Sequence, residues 1–242
     1  MVKINLETDA LFVIDATPTF MPGGGLPVPE GDLIIPVIQK VAWMFPSRRR
    51  FATLDKHRPG HISLASSYVG YEPFYELTYE EVLEWPLIMP HPKLAPHAAF
   101  SLEKLRNYLA ITRKQILWPD HGPADSPESD LHPALQDIRF ELVWTKGLDP
   151  ACDSNGAFFD NMSRPTGFGM AISPYKIRRG FFVGLAEDVC VGISALGAKE
   201  YGIEPFVISD ATRAVSEESR KKMHWKFEKN DIYVIPSIAL SL

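Results

Sequence analysis

Short, almost continuously apolar runs rich in β-branched and aromatic residues recur along this chain, and segments of helical periodicity separate them. The runs are LFVID (11–15), RRFATLD (49–55), QILWP (115–119), FELVWTK (140–146), RGFFVGLA (179–186) and EPFVISDA (204–211). A strand with one wet face alternates apolar and polar residues, whereas a strand covered on both faces does not. The helical segments are GDLIIPVIQKVAWMF (31–45), SLEKLRNYLA (101–110) and DVCVGISALGAKEYG (188–202). Pro36 disturbs the first near its start, Ser101 and Lys104 open the second at cap spacing, and Gly202 closes the third. Strands alternating with helices predict an α/β fold of three layers, α/β/α, around a mainly parallel, doubly wound sheet. A length of 242 residues suits a single domain over 1–242. Within it, about 66–114 reads as an excursion: Tyr68 to Ala99 is rich in Pro, Tyr, Glu and Trp, lacks a period and names no partner.

Open α/β sheets bind ligands outside the carboxyl ends of their strands. Asp15, Asp55, Lys146 and the segment leading to Cys190 end four predicted strands, and Trp118 to His121 follow a fifth. Five strand ends thus offer reactive side chains to one rim.

Charge and cysteine content narrow the function classes. A formal net charge of -5 provides no basic field, so no nucleic-acid partner is expected. No apolar run approaches the roughly 20 residues that span a bilayer, and MVKINLETDALFVID lacks a signal peptide's apolar region. No membrane association and a cytoplasmic location are therefore expected. The two cysteines, Cys152 and Cys190, form at most one disulfide, and a reducing compartment leaves both as thiols. The glycines at 23–25 lack the lysine and the spacing of a phosphate loop, which argues against nucleotide binding.

Two constellations carry chemistry. In TLDKHRPGHIS, Asp55 and His57 are two apart in extended backbone and face the same side, so both can reach one divalent ion. His121 in LWPDHG offers a third ligand, leaving a shell open to water or substrate, as a catalytic site needs. His61 is either a fourth ligand or a group that orients one. A D-x-H alone equally describes a hydrogen-bonded pair in a loop. The second constellation is Asp15, Lys146 and Cys190. A thiol with pKa about 8.5 becomes a thiolate more readily at a helix N-terminus beside an ammonium, and a carboxylate in reach takes its proton. Singly, the three read as a cap, a surface charge and a small buried apolar residue.

Phe20 and Trp118 either wall a slot for a flat ring or pack in the core. Asp188 is expected to cap the helix that carries Cys190. His91 and His97 read as surface groups, His132 and His224 as structural, and Cys152 as a second exposed thiol in a polar loop.

Taken together, LFVIDATPTFMPGGGLPV, ATLDKHRPGHISLAS, LWPDHGPADSPESDLHPAL, VWTKGLDPACDSNGAFFDN, VGLAEDVCVGISALGAKEYG and VISDAT resemble the nicotinamidases within the isochorismatase-like cysteine hydrolases. The D-x-H with W-P-x-H points towards the metal-containing members, since isochorismatases proper work without the ion. The resemblance implies the isochorismatase-like hydrolase fold and a catalytic triad of Asp15, Lys146 and Cys190. It implies one divalent metal on Asp55, His57 and His121, zinc first with iron and manganese as alternatives; His61 matches a histidine that binds the metal in some members only. Phe20 and Trp118 match aromatic residues flanking a pyridine ring. Leu185–Ala186 matches a cis peptide, and the backbone N–H groups of Ala186 and Cys190 match the oxyanion hole.

The implied reaction is hydrolysis of the small amide nicotinamide to nicotinic acid and ammonia through a thioester on Cys190, within pyridine nucleotide salvage. The alternatives are an amidase for another small amide, a carbamoyl or ureido compound, and a non-catalytic metabolite-binding member; a homo-oligomer is left open. Three departures bear on the substrate. Thr17-Pro18-Thr19-Phe20 stands where the family commonly has a glutamine and then Asn-Asp-Phe. Gly122 follows the metal histidine where a cysteine is common, and the excursion at 66–114 is long.

Overall fold

The computed structural model describes residues 1–242. Six strands form one all-parallel sheet: β1 (Asp9–Ile14), β2 (Arg50–Asp55), β3 (Leu142–Lys146), β4 (Arg179–Leu185), β5 (Glu204–Arg213) and β6 (Tyr233–Ile235). Their spatial order is β3-β2-β1-β4-β5-β6. The chain winds outward from β1 to β3, crosses back over β1 and winds outward again, which makes the sheet doubly wound and puts a switch point beside β1. Six α-helices accompany it: α1 (Ile35–Ala42), α2 (Tyr79–Leu83), α3 (Leu102–Thr112), α4 (Phe168–Ile172), α5 (Gly192–Lys199) and α6 (Glu217–Lys229).

The unbroken apolar runs are explained by burial. Every residue of β1 and β2 is buried, and so is every residue of β4 after Arg179. Alternate side chains of β1 enter opposite cores, because successive Cβ atoms leave a strand on opposite faces. Leu11 and Val13 pack with Ile35, Ile38 and Val41 of α1. Ala10, Phe12 and Ile14 pack with Ala195 and Ala198 of α5 and Met223 and Phe227 of α6. Each large apolar side chain so buried contributes roughly 1.5–3 kcal/mol over exposure.

Helix boundaries follow local chemistry. The segment 31–45 divides into a 3-10 turn over Gly31–Ile34 and then α1. Pro36 falls in the first turn of α1, where no backbone N–H is required, so it starts the α-helix rather than distorting it. Ser101 caps α3 as its spacing predicts, its hydroxyl accepting from Lys104 N.

Three expectations need correction. QILWP does not join the central sheet: Lys114–Ile116 pairs antiparallel with Glu76–Thr78, and only Gln115 of the three is buried. Trp118 nevertheless reaches the rim, because its N–H donates to Ser63 O in the loop after β2. The stretch 66–114 lies on a third core containing Tyr68, Leu77, Val82, Trp85, Leu105 and Leu109. Leu105 and Leu109 reach this core from α3, whereas Tyr68 and Trp85 reach it from irregular backbone, which leaves 68–99 without a period. His91 is buried with its ring stacked on Trp85 at 5.2 Å, whereas His97 is exposed. Cys152 is buried as well, and burial pushes its thiol up to about 12, so it is no reactive surface thiol. No helix is long and apolar enough to cross a membrane.

Candidate active site

Three adjacent strands deliver charge to one point. Asp15 directly follows β1, and its φ of 46° is left-handed, a conformation Asp tolerates better than most residues. Asp55 ends β2 directly opposite Lys146 at the end of β3. Lys146 Nζ lies 3.0 Å from Asp15 Oδ2, donates to Asp55 Oδ1 at 2.8 Å and to Ser154 O at 2.8 Å, and sits 3.7 Å from Cys190 Sγ. All of these side chains are buried.

Burial works against the charge of Lys146, but Asp15 and Asp55 outweigh it and hold its pKa well above the ordinary lysine value. Asp15 is pushed up by burial, against the opposing pull of Lys146 and of the hydrogen bond donated by Thr53 Oγ1 at 2.7 Å. Cys190 is pushed well above an ordinary thiol, first by burial and then, against Lys146, by the negative charges of Asp15 and Asp55. This environment therefore favours the protonated thiol, against the pull toward thiolate of a helix start and an ammonium. The thiol keeps its proton until a base takes it, and Lys146 Nζ, 3.0 Å from Asp15 Oδ2 and 3.7 Å from Cys190 Sγ, bridges the acid and the sulfur.

Cys190 lies in a π-helical turn, Glu187–Val191, that runs into α5. The peptide bond Leu185–Ala186 before it is cis, and the N–H groups of Val189 and Val191 both donate to Ala186 O. Asp188 does not cap this helix. It lies inside the turn, and its carboxylate accepts from Val215 N, Ser216 N and Ser219 Oγ, tying the turn to the start of α6. His224 of α6 holds the neighbouring Glu187 at 2.6 Å. His132 Nδ1 accepts from Ala134 N and caps a 3-10 turn.

Asp55 uses its second oxygen on the histidines. Asp55 Oδ2 is 3.1 Å from His57 Nε2 and 3.5 Å from His121 Nε2, and all three residues are buried. Two ligands about 2.1 Å from a tetrahedral ion stand about 3.4 Å apart, so these donors fit a single divalent cation. His121 Nδ1 donates to Pro119 O at 2.8 Å, which leaves the Nε2 lone pair free for an ion. Although burial pushes Asp55 up, His57 and Lys146 hold it well below the usual carboxylate range.

Gly122 and Gly147 keep this space open. A Cβ on Gly122, at φ +58°, would lie 2.8 Å from Asp55 O, and one on Gly147, at φ +77°, would lie 2.9 Å from Asp55 Oδ1. Thr19, one of the departures noted in the sequence, accepts from Gly122 N at 2.9 Å and so fixes the loop carrying His121.

His61 meets His57 ring to ring at 4.4 Å between centroids. Its Nδ1 lies 2.8 Å from Ser63 Oγ and accepts from Ser63 N at 3.2 Å. Burial, with His57 adding to it, pulls its pKa down to about 4, so the ring is neutral.

Between Cys190 and His121 lies a narrow cavity, with Phe20 and Trp118 among its walls and Ala186 in its lining. Phe20 also packs on the His121 ring at 5.7 Å between centroids. Each residue expected at the site from the sequence therefore lies at this one rim, His61 behind His57. Two polar lining residues lie outside the set expected from the sequence, Asp153 and Asn155. They follow Lys146 in a loop without periodicity, and the only local signal was an acid and an amide in an otherwise small-residue stretch. The arrangement offers a nucleophile, a base, an ammonium and a cation site around a mainly apolar slot.

No protein-family model matches the chain. It is 30% identical over 221 residues to the nicotinamidase of Acinetobacter baylyi, which covers 90% of this chain and 86% of that protein. It is also 30% identical over 218 residues to the nicotinamidase of Escherichia coli, covering 89% and 87%. The solved structure of a nicotinamidase and pyrazinamidase from Acinetobacter baumanii superposes with a TM-score of 0.78 at 27% identity, covering 96% of this chain and 97% of that one.

Proposed function

The chain belongs to the nicotinamidase family, and from that premise we propose that it hydrolyses nicotinamide to nicotinic acid and ammonia through a thioester on Cys190. The observation that supports this reading most is the buried Lys146 ammonium, in contact with Asp15 and Asp55 and 3.7 Å from the Cys190 sulfur.

In the proposed reaction Phe20 and Trp118 hold the pyridine ring in the slot. When bound by Asp55, His57 and His121, a divalent cation, zinc first with iron and manganese as alternatives, supplies a Lewis-acidic anchor for the ring nitrogen. Asp15 takes the thiol proton as Cys190 Sγ attacks the carboxamide carbon. Lys146 offsets the negative charge that moves between sulfur and carboxylate. The backbone N–H groups of Ala186 and Cys190 receive the developing oxyanion; loss of one such donor in comparable acyl-transfer sites costs about 3 kcal/mol. Asp15 returns its proton to the departing nitrogen, and the C–N bond breaks with release of ammonia. Asp15 then removes a proton from water, hydroxide adds to the thioester, and nicotinic acid leaves as the sulfur recovers its proton. The proposal implies a cytoplasmic enzyme of pyridine nucleotide salvage.

A second reading, hydrolysis of a carbamoyl or ureido amide, is favoured by one observation: Asp153 and Asn155 bring polar groups into a mainly apolar cavity. Ammonia release from nicotinamide, pyrazinamide and a set of carbamoyl amides decides between them. The proposal expects nicotinamide to give the highest kcat/KM, and preference for a carbamoyl amide would replace it with the second reading.

A further inference from the structure

Two buried imidazole nitrogens next to the cation site have no hydrogen-bond partner, His57 Nδ1 and His61 Nε2. Asp153 adjoins both rings: one nitrogen of each histidine and one of its carboxylate oxygens lie within 4.8 Å of one another. Asp153 is 2% exposed, and accepts from Ser154 N at 2.8 Å and Gln115 Nε2 at 3.3 Å. An ionised carboxylate has about four acceptor positions, so roughly two remain.

The tautomers decide what fills them. His61 Nδ1 accepts from the Ser63 backbone N–H, so it carries no proton, and the neutral ring keeps its proton on Nε2. That nitrogen is a donor and has no lone pair for a cation. His57 Nε2 faces Asp55 and the cation site, and a histidine that ligates through Nε2 keeps its proton on Nδ1. Two N–H donors and one carboxylate with spare acceptor positions are therefore buried side by side, a set that matches in hydrogen bonds and leaves no ligand for a second cation.

We propose that Asp153 is the positioning residue of the cation site: through at most one bridging water it accepts from His57 Nδ1–H and His61 Nε2–H, which presents His57 Nε2 to the cation and keeps His61 out of the ligand set. This rests on the metal-dependent reading of the same site. The adjoining Ser154 carbonyl accepts from Lys146, so one short loop sets both a cation ligand and the ammonium.

The test is the zinc(II) dissociation constant of the metal-free protein, read by competition with a chromophoric chelator. Asp153→Asn keeps the side-chain volume and is expected to weaken binding by roughly 10- to 100-fold. Thermal unfolding of both metal-free forms establishes that the variant is folded, and an unchanged constant in folded Asp153→Asn overturns the proposal. Nitrogen-15 NMR of the imidazoles in zinc-loaded wild type needs no variant. The expected spectrum has protons on His57 Nδ1 and His61 Nε2, and zinc on His61 Nε2 overturns the proposal. Ammonia release by the wild type is scored separately. Wild type that binds zinc and leaves every amide intact refutes the catalytic reading, while the zinc constants still judge Asp153.

Discussion

Asp55 and Lys146 face each other across neighbouring strand ends, and the carboxylate accepts from the ammonium at 2.8 Å. The other oxygen of Asp55 lies 3.1 Å from His57, so one side chain belongs both to the cation site and to the charge cluster around Cys190. Asp55→Asn should therefore lower zinc content and ammonia release together. Metal analysis alongside activity checks this, and loss of one with the other at its wild-type level would contradict the shared role.

Removal of the ammonium should be costly to the fold as well as to turnover. Lys146 is buried between two carboxylates, and deleting one partner of a buried pair leaves uncompensated charge worth about 3–5 kcal/mol. Lys146→Met is expected to lose activity and to unfold at lower denaturant than wild type. Equilibrium unfolding in urea is the measurement.

The acid side of the pH profile should belong to Asp15. A general base acts when deprotonated, and burial raises Asp15 above the usual carboxylate value, so activity is lost as pH falls through that raised value. Thr53 donates to Asp15 Oδ1 and opposes the rise. Thr53→Val should consequently move the acid limb of kcat/KM to higher pH. A shift to lower pH would remove Asp15 as the base that the limb reports.

Trp118 is expected to hold the substrate rather than to react. Stacking on an aromatic ring contributes about 0.5–1.5 kcal/mol beyond area burial, so Trp118→Ala should raise KM for nicotinamide roughly 2- to 13-fold with a smaller change in kcat. Steady-state kinetics give the split, and a fall in kcat alone would contradict the assignment.

Much of this was legible in the sequence because two physical signals were strong. Strands buried on both faces leave unbroken apolar runs, and β1, β2 and β4 did so. In a parallel sheet all strand ends of one kind lie on one rim, so Asp15, Asp55 and Lys146 were brought together by topology before any distance was known. The misreadings fell where burial is not periodic. His91 and Cys152 are buried singly by irregular backbone, and Asp153 reaches the cation site from a loop whose path no pattern records. The protonation of Cys190 is decided by groups that the sequence does not place around it. A helix start and a lysine argue for thiolate, but two carboxylates and complete burial, visible only in three dimensions, argue more strongly for thiol.

The nucleophile carries the whole account. Cys190→Ala removes only a sulfur atom from a buried turn and leaves Asp55, His57 and His121 in place. Ammonia release from nicotinamide, measured on this variant at wild-type zinc content and with unfolding behaviour near wild type, should fall to the uncatalysed background. Turnover retained by such a folded, metal-loaded variant would contradict covalent catalysis at Cys190.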